Sequence, residues 1–159
     1  MGTNECTDGR TEMEGILRRE SWGCLGLSSD AGPYVVPLNY AYVDGRILIH
    51  CALEGRKLDC IRADPRVCFV VARQESTVRD HGGSRCHLDC DSVLCTGTAR
   101  IVEDLHERAD ALNAFNRAFK PGADDLAPDR VRACAVIEIT VAGMTGRRER
   151  AGKRVRWAS

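Results

Sequence analysis

The chain has no net charge to work with, since 23 Lys and Arg residues balance 23 Asp and Glu residues. No global field therefore draws it to nucleic acid or to an anionic membrane, and any anion binding must come from local clusters. It also lacks an apolar run approaching the roughly 20 residues that span a bilayer. The first residues, Met1 to Arg10, are polar and do not form a basic stretch leading into an apolar one. These absences point to a soluble, unsecreted, cytoplasmic protein. There is no GxGxxG fingerprint, so a reducing dinucleotide, if used, binds transiently. There is no internal repeat, and 159 residues fit one ordinary domain.

Cysteine, by contrast, is abundant. The nine residues at 6, 24, 51, 60, 68, 86, 90, 95 and 134 are odd in number and irregularly spaced, which fits reduced thiols better than a disulfide framework. Cys68 and Cys134 sit in apolar runs, where cysteine behaves as a small buried hydrophobe.

Along the chain, Met13, Ile16 and Leu17 lie at helical spacing among charged residues and predict a short amphipathic helix over 11–20. Gly23 to Ser28 reads as a strand whose glycines imply close approach by another backbone, and Ser29-Asp30-Ala31-Gly32-Pro33 is turn chemistry. A second strand covers Tyr34 to Val43, and Asp44-Gly45 is a two-residue hairpin turn into Arg46–Cys51. Pro37 cannot donate to a ladder, so it belongs at an edge, at a bulge or where the strand opens to a ligand. A short helix over 54–62 stops before Asp64-Pro65, and Val67–Ala72 is again a strand. The polar stretch 74–89 reads as a loop. A strand over 91–102 follows, then a helix capped by Asp104 and closed by Pro121-Gly122, and a last strand over 133–141. The segment 146–156 is dense in Arg and Lys and predicts a mobile basic end. The organisation is a flexible N-terminus (1–10), one domain (11–145) and a basic C-terminal tail (146–159). Short hairpin connections exclude parallel crossovers and favour a mainly β, antiparallel barrel.

The chemistry concentrates in Tyr34-Val35-Val36-Pro37-Leu38-Asn39-Tyr40 and in His50-Cys51-Ala52-Leu53-Glu54-Gly55-Arg56-Lys57-Leu58. A glycine and two cations at a helix start make a phosphate pocket, because free backbone N–H groups and the helix dipole attract an anion. The same spacing also fits two solvated helix residues. His50 at a strand end reads equally as a packed residue or as an acid–base group with a pKa near 6.5.

These segments, with DGRILIH, DPRVCF, SVLCTGTARIVED and VIEITVAGMTGR in the same order, resemble the pyridoxamine 5'-phosphate oxidase-like FMN-binding split-barrel proteins, in particular their nitroimidazole-resistance branch. The resemblance runs from about Met13 to Arg148. It implies a mainly β split barrel of six or so antiparallel strands with short flanking helices. It also implies a homodimer with FMN at the subunit interface. By position, Val35, Val36, Pro37 and Leu38 line the flavin ring largely through backbone groups, with Asn39 nearby. His50 lies beside the flavin as the catalytic candidate, and Cys51 stands where a serine is common. Gly55, Arg56 and Lys57 hold the phosphate, and Ser92 and Val93 approach the flavin of the other subunit.

The activity so implied is an FMN-dependent oxidoreductase that passes reducing equivalents to a small electrophilic acceptor, such as a nitroaromatic of the nitroimidazole type. Two other readings stand beside it. One is a non-catalytic flavin or haem carrier or sensor. The other is a metal-binding module built on His81, Cys86, His87 and Cys90, whose donors suit zinc but whose CxxxC spacing is loose. The basic tail has no interleaved aromatics to stack nucleic-acid bases.

Overall fold

The protein, described from a computed structural model over residues 9–79, 86–150 and 153–159 without the side chains of 76–79 and 86–88, is built on one curled antiparallel sheet. The first helix, α1 (Gly9–Arg19), turns Met13, Ile16 and Leu17 inward, and all three are buried. The strands β1 (Trp22–Leu27) and β2 (Tyr34–Asn39) form a hairpin around the Ser29–Gly32 turn, where Gly32 takes φ 104° and its N–H donates to the Ser29 carbonyl at 2.9 Å. β3 (Ala41–Val43) and β4 (Arg46–Cys51) pair across Asp44-Gly45, and both turn residues have positive φ, as a type I′ turn requires. A short helix, α2 (Arg56–Ala63), precedes β5 (Arg66–Arg79) and β6 (Cys86–Ile101). Then α3 (Leu105–Phe119) and α4 (Pro128–Arg132) lead to β7 (Ala135–Arg150) and β8 (Lys153–Ala158).

Sheet order is β2-β1-β5-β6-β7-β4-β3, with β8 added on β7. Tyr40 accounts for the break that divides the expected 34–43 strand into β2 and β3. Its side chain is fully buried, its hydroxyl donates to the Leu17 carbonyl at 2.8 Å, and its N–H donates to the Ser21 carbonyl at 3.1 Å. The chain thereby crosses from one end of the sheet to the other, which is what splits the barrel. Pro37 lies on β2, an edge strand.

The barrel interior is filled by alternate residues of each strand, among them Leu25, Ile47, Ile49, Phe69, Val71, Val93, Ile137 and Ile139, with Leu58 and Ile61 of α2 and the apolar face of α1 closing it. Phe69 packs edge-on against Tyr40 at 5.0 Å between centroids. Between β6 and β7 the register shifts at Thr96/Gly97, a bulge that bends both strands around the core. A Cβ at Gly97 would lie 2.1 Å from the Thr140 carbonyl oxygen, so no larger residue fits there. Asp104 caps α3 by accepting from the N–H groups of His106 and Glu107, both at 2.9 Å.

Two expectations from the sequence are corrected. The stretch 74–89 is not a loop over its described part, since β5 runs to Arg79 and β6 starts at Cys86, with Gln74 to Arg79 paired against Cys90 to Cys86. The basic end is not a mobile tail, because β7 continues to Arg150 and 153–158 pairs back on it as β8. In both places the ribbon is held by buried charge and not by apolar alternation, which is why periodicity does not reveal it. Asp91, fully buried, accepts from Arg148 at 2.9 Å and from Arg19 and Arg150 at 3.0 Å. Glu149 pairs with Arg147 and Arg154.

Candidate functional site

The start of α2 carries a local arrangement suited to an anion. Gly55 is the N-cap at φ 136°, a conformation L side chains rarely adopt, and among the described residues no side chain caps the helix. The leading N–H groups therefore remain available for an acceptor that is not part of the helix. Nothing lies within 4 Å of the position a Gly55 Cβ would take, so the turn opens onto free space. Arg56 is held beside it, with its guanidinium 4.4 Å above the Tyr34 ring and 3.3 Å from the Ser29 hydroxyl. Lys57 lies close enough to Cys51 to oppose the rise in that thiol's pKa. Burial is the larger effect and leaves the thiol above its usual range.

These contacts bring the α2 turn to β2. Along β2 the side chains alternate. Tyr34, Val36 and Leu38 pack on the core, whereas Val35, Pro37 and Asn39 face outward, Val35 with 62% of its surface exposed. Because β2 ends the sheet and, among the described residues, pairs only with β1, its other edge presents backbone groups without a described ladder partner. An edge of this kind can hydrogen-bond a planar heterocycle beside a bound phosphate. Tyr34 and Ser29 position Arg56, a role that the sequence did not show. They lie in a strand and a turn, and only the fold carries them to the helix start.

His50 is placed differently. His50 and Cys51 project to opposite faces of β4. Cys51 packs toward the barrel interior, whereas the His50 ring stands edge-on to Phe115 of α3, 4.8 Å between centroids at 89°. It lines a hollow of about 300 Å³ with Asn116, Arg130 and Cys134. His50 thus stands on the face of β4 opposite Cys51, the residue that Lys57 approaches.

Ser92 and Val93 sit on β6, two strands away from β2's partner β1. Val93 is fully buried between β5 and β7, while Ser92 lines a hollow of about 590 Å³ on the outer sheet face. The register aligns Pro37, Cys24, Val70, Leu94, Thr145 and Ala158 across this face in one row. Together with Trp22, Val35 and Leu94, which are 56%, 62% and 38% exposed, the row makes a broad apolar surface.

Among the described residues no group of three or more His, Cys, Asp or Glu side chains could hold a metal, and no helix is long and apolar enough to cross a membrane. His81 lies outside the described residues, as do the side chains of Cys86 and His87.

The sequence pattern of the pyridoxamine 5'-phosphate oxidase family matches residues 9–148. The chain belongs to this family. Among solved structures of the same fold is a protein of Bacteroides thetaiotaomicron with a provisional 5-nitroimidazole antibiotic resistance assignment. It aligns at a TM-score of 0.79 and 24% identity, covering 96% of this chain and 89% of that one. An FAD and haem binding protein of Mycobacterium smegmatis aligns at a TM-score of 0.79 and 13% identity, covering 94% and 82%. An uncharacterised protein of Rhizobium meliloti is 24% identical over 155 residues, 91% of this chain and 95% of its own length. The family match begins at the first residue of α1 and runs into the extended part of β7, so it takes in the core barrel, the α2 turn and the outer face.

Proposed function

We propose that this protein is a cytoplasmic, homodimeric FMN-dependent oxidoreductase that reduces small electrophilic acceptors, nitroaromatics among them. One observation carries the reading: the uncapped, open turn at Gly55, with Arg56 and Lys57, stands beside the unpaired edge of β2. These residues fit the charged end of a phosphorylated flavin. The leading N–H groups of α2 would donate to the phosphate oxygens, Arg56 offers a planar fork fixed over Tyr34, and Lys57 adds a point charge. The β2 backbone from Val35 to Leu38 would hold the edge of the ring system, with Asn39 at the end of the strand.

A bound flavin supplies the electron transfer, and the chain supplies orientation, electrostatics and control of water. The apolar outer face, which carries Trp22, Val35 and Leu94, buries against a second copy. That dimer would exclude water from the cofactor and bring Ser92, with Val93 packed behind it, toward the flavin held by the other chain. His50 acts as the proton donor or substrate gate. Its imidazole is exposed and braced edge-on by Phe115.

A second reading, a flavin or haem carrier, is favoured by the Mycobacterium smegmatis relative, whose name includes both ligands. One set of measurements separates them. The oxidoreductase requires a yellow protein, dimeric by light scattering, whose flavin absorption bleaches with reductant and returns on adding a nitroaromatic. Flavin that never reoxidises with any acceptor, or a Soret band, sinks it in favour of the carrier.

A further inference from the structure

The ribbon where β6, β7 and β8 run side by side lines up three polar side chains. In register Ser92 lies opposite Arg147, and Arg147 lies opposite Arg156. All three line the hollow of about 590 Å³ on the outer face, beside the apolar Val70 and Leu94. Residues directly opposed on one face are nearest neighbours, so wherever the fold carries Ser92, two guanidiniums go with it. Those guanidiniums are poorly matched within the chain. Like charges opposed across a strand pair repel. Glu149, next on the same face, accepts from Arg147 and also from Arg154, so one carboxylate is shared. Among the described residues Arg156 has no ion pair, and the buried Nε of Arg147 has no hydrogen-bond partner.

The face that meets a second copy in the proposed homodimer contains this row, so both arginines leave bulk water when two chains join. A guanidinium taken out of water is costly unless an acceptor meets it. The flavin phosphate is an anion that such a dimer brings to this face. A phosphate monoester carries about −1.5 to −2 charges near neutral pH and offers three strong acceptor oxygens. We propose that Arg147 and Arg156 of each chain hold the phosphate of the flavin bound by the other chain. The inference rests on the flavin-binding homodimer proposed above and adds two positioning residues to its site. Gly55, Arg56 and Lys57 would hold the phosphate from its own chain, and the row of Ser92, Arg147 and Arg156 would close on it from the partner. The hollow is then the half of the flavin site that each protomer lends to the other. Flavin binding and dimerisation become coupled, since a lone chain holds the phosphate on one side only.

The test titrates FMN, and riboflavin, which lacks the phosphate, into flavin-free full-length protein and reads the quenching of flavin fluorescence. Arg156→Ala weakens FMN about tenfold or more, as loss of one charge-assisted bond implies, and leaves riboflavin unchanged. Arg156→Lys recovers part of the loss. Lys153→Ala, on the alternate face of β8, binds both flavins as the parent does. Arg156 is exposed in the single chain, so its removal leaves circular dichroism unchanged. A heterodimer of one Lys57→Ala chain and one Arg156→Ala chain, purified through two different tags, reports which flavin Arg156 serves. Acting across the interface, the two substitutions fall in the same site, and the other site binds FMN with parental affinity. Acting within its own chain, Arg156→Ala leaves each site with one substitution, and no parental site appears. The inference is overturned if Arg156→Ala binds FMN as the parent does, if it weakens riboflavin equally, or if the heterodimer has no site of parental affinity. In each of those cases the parent still binds FMN and the flavin reading survives, whereas a parent that takes up neither flavin removes both.

Discussion

Asp91→Asn should destabilise the protein by about 3 kcal/mol, a value that follows from what its carboxylate does. The side chain is fully buried and accepts three guanidinium hydrogen bonds, from Arg148 at 2.9 Å and from Arg19 and Arg150 at 3.0 Å each. These tie β6 to α1 and to the far end of β7. Hydrogen bonds to charged groups are worth about 1.5–3 kcal/mol apiece, which would give a loss of roughly 5–9 kcal/mol for three. Two features lower that figure. The three arginines keep 30–42% of their side-chain surface exposed, so water solvates them once released. Asparagine also keeps the shape and one acceptor, although its amide opposes donor to donor.

For a chain of this size about 2–4 °C accompanies each kcal/mol, so the melting temperature should fall by roughly 6–12 °C. Urea unfolding at pH 7, read by circular dichroism, measures the same difference. The pH dependence gives a second check. Burial raises the Asp91 pKa, but the hydrogen bonds from Arg148, Arg19 and Arg150 together outweigh it and hold the carboxyl below its usual 3.8. A lowered folded-state pKa contributes stability above the unfolded value and loses it as pH falls through the folded one. The gap between parent and Asp91→Asn should thus be constant from pH 5 to 7 and close below the ordinary carboxylate range. A loss under about 1 kcal/mol, the scale of a surface pair, or a gap that widens in acid, would refute the account of the ribbon as held by buried charge.

Other outcomes follow from single contacts. Lys57→Ala should raise the FMN dissociation constant about tenfold while leaving the melting temperature of the flavin-free protein within about 2 °C, read by fluorescence titration of apoprotein. Unchanged FMN affinity would remove Lys57 from the phosphate site. His50→Ala should retain flavin and change the pH profile of acceptor reduction, and loss of its edge contact with Phe115 should cost up to about 1 kcal/mol of stability. An unaltered profile would leave His50 as a packing residue. Gly97→Ala should cost several kcal/mol or abolish soluble expression, because its Cβ would meet the Thr140 carbonyl oxygen at 2.1 Å. A folded variant with parental stability would show that the β6–β7 bulge is not as tight as described.

Elements whose signal is local were legible in the chain itself. The apolar spacing of Met13, Ile16 and Leu17, the Asp44-Gly45 turn, the Asp104 cap and the glycine before Arg56 and Lys57 each act within a few residues, through periodicity or a backbone hydrogen bond. The order of motifs also pointed to the family that the match over residues 9–148 establishes. Only the tertiary structure decided the rest. The outer ribbon of β5, β6, β7 and β8 has no apolar alternation to announce it, since its stability comes from Asp91 and Glu149 meeting arginines up to 72 residues away. The break at Tyr40 exists because a hydroxyl 23 residues away from Leu17 finds its carbonyl. Strand alternation separates His50 from its neighbour Cys51, and sheet register unites Arg147 with Arg156. Chain proximity fixes which element forms, but pairing across the sheet fixes which side chains share a face, and chemistry depends on the second.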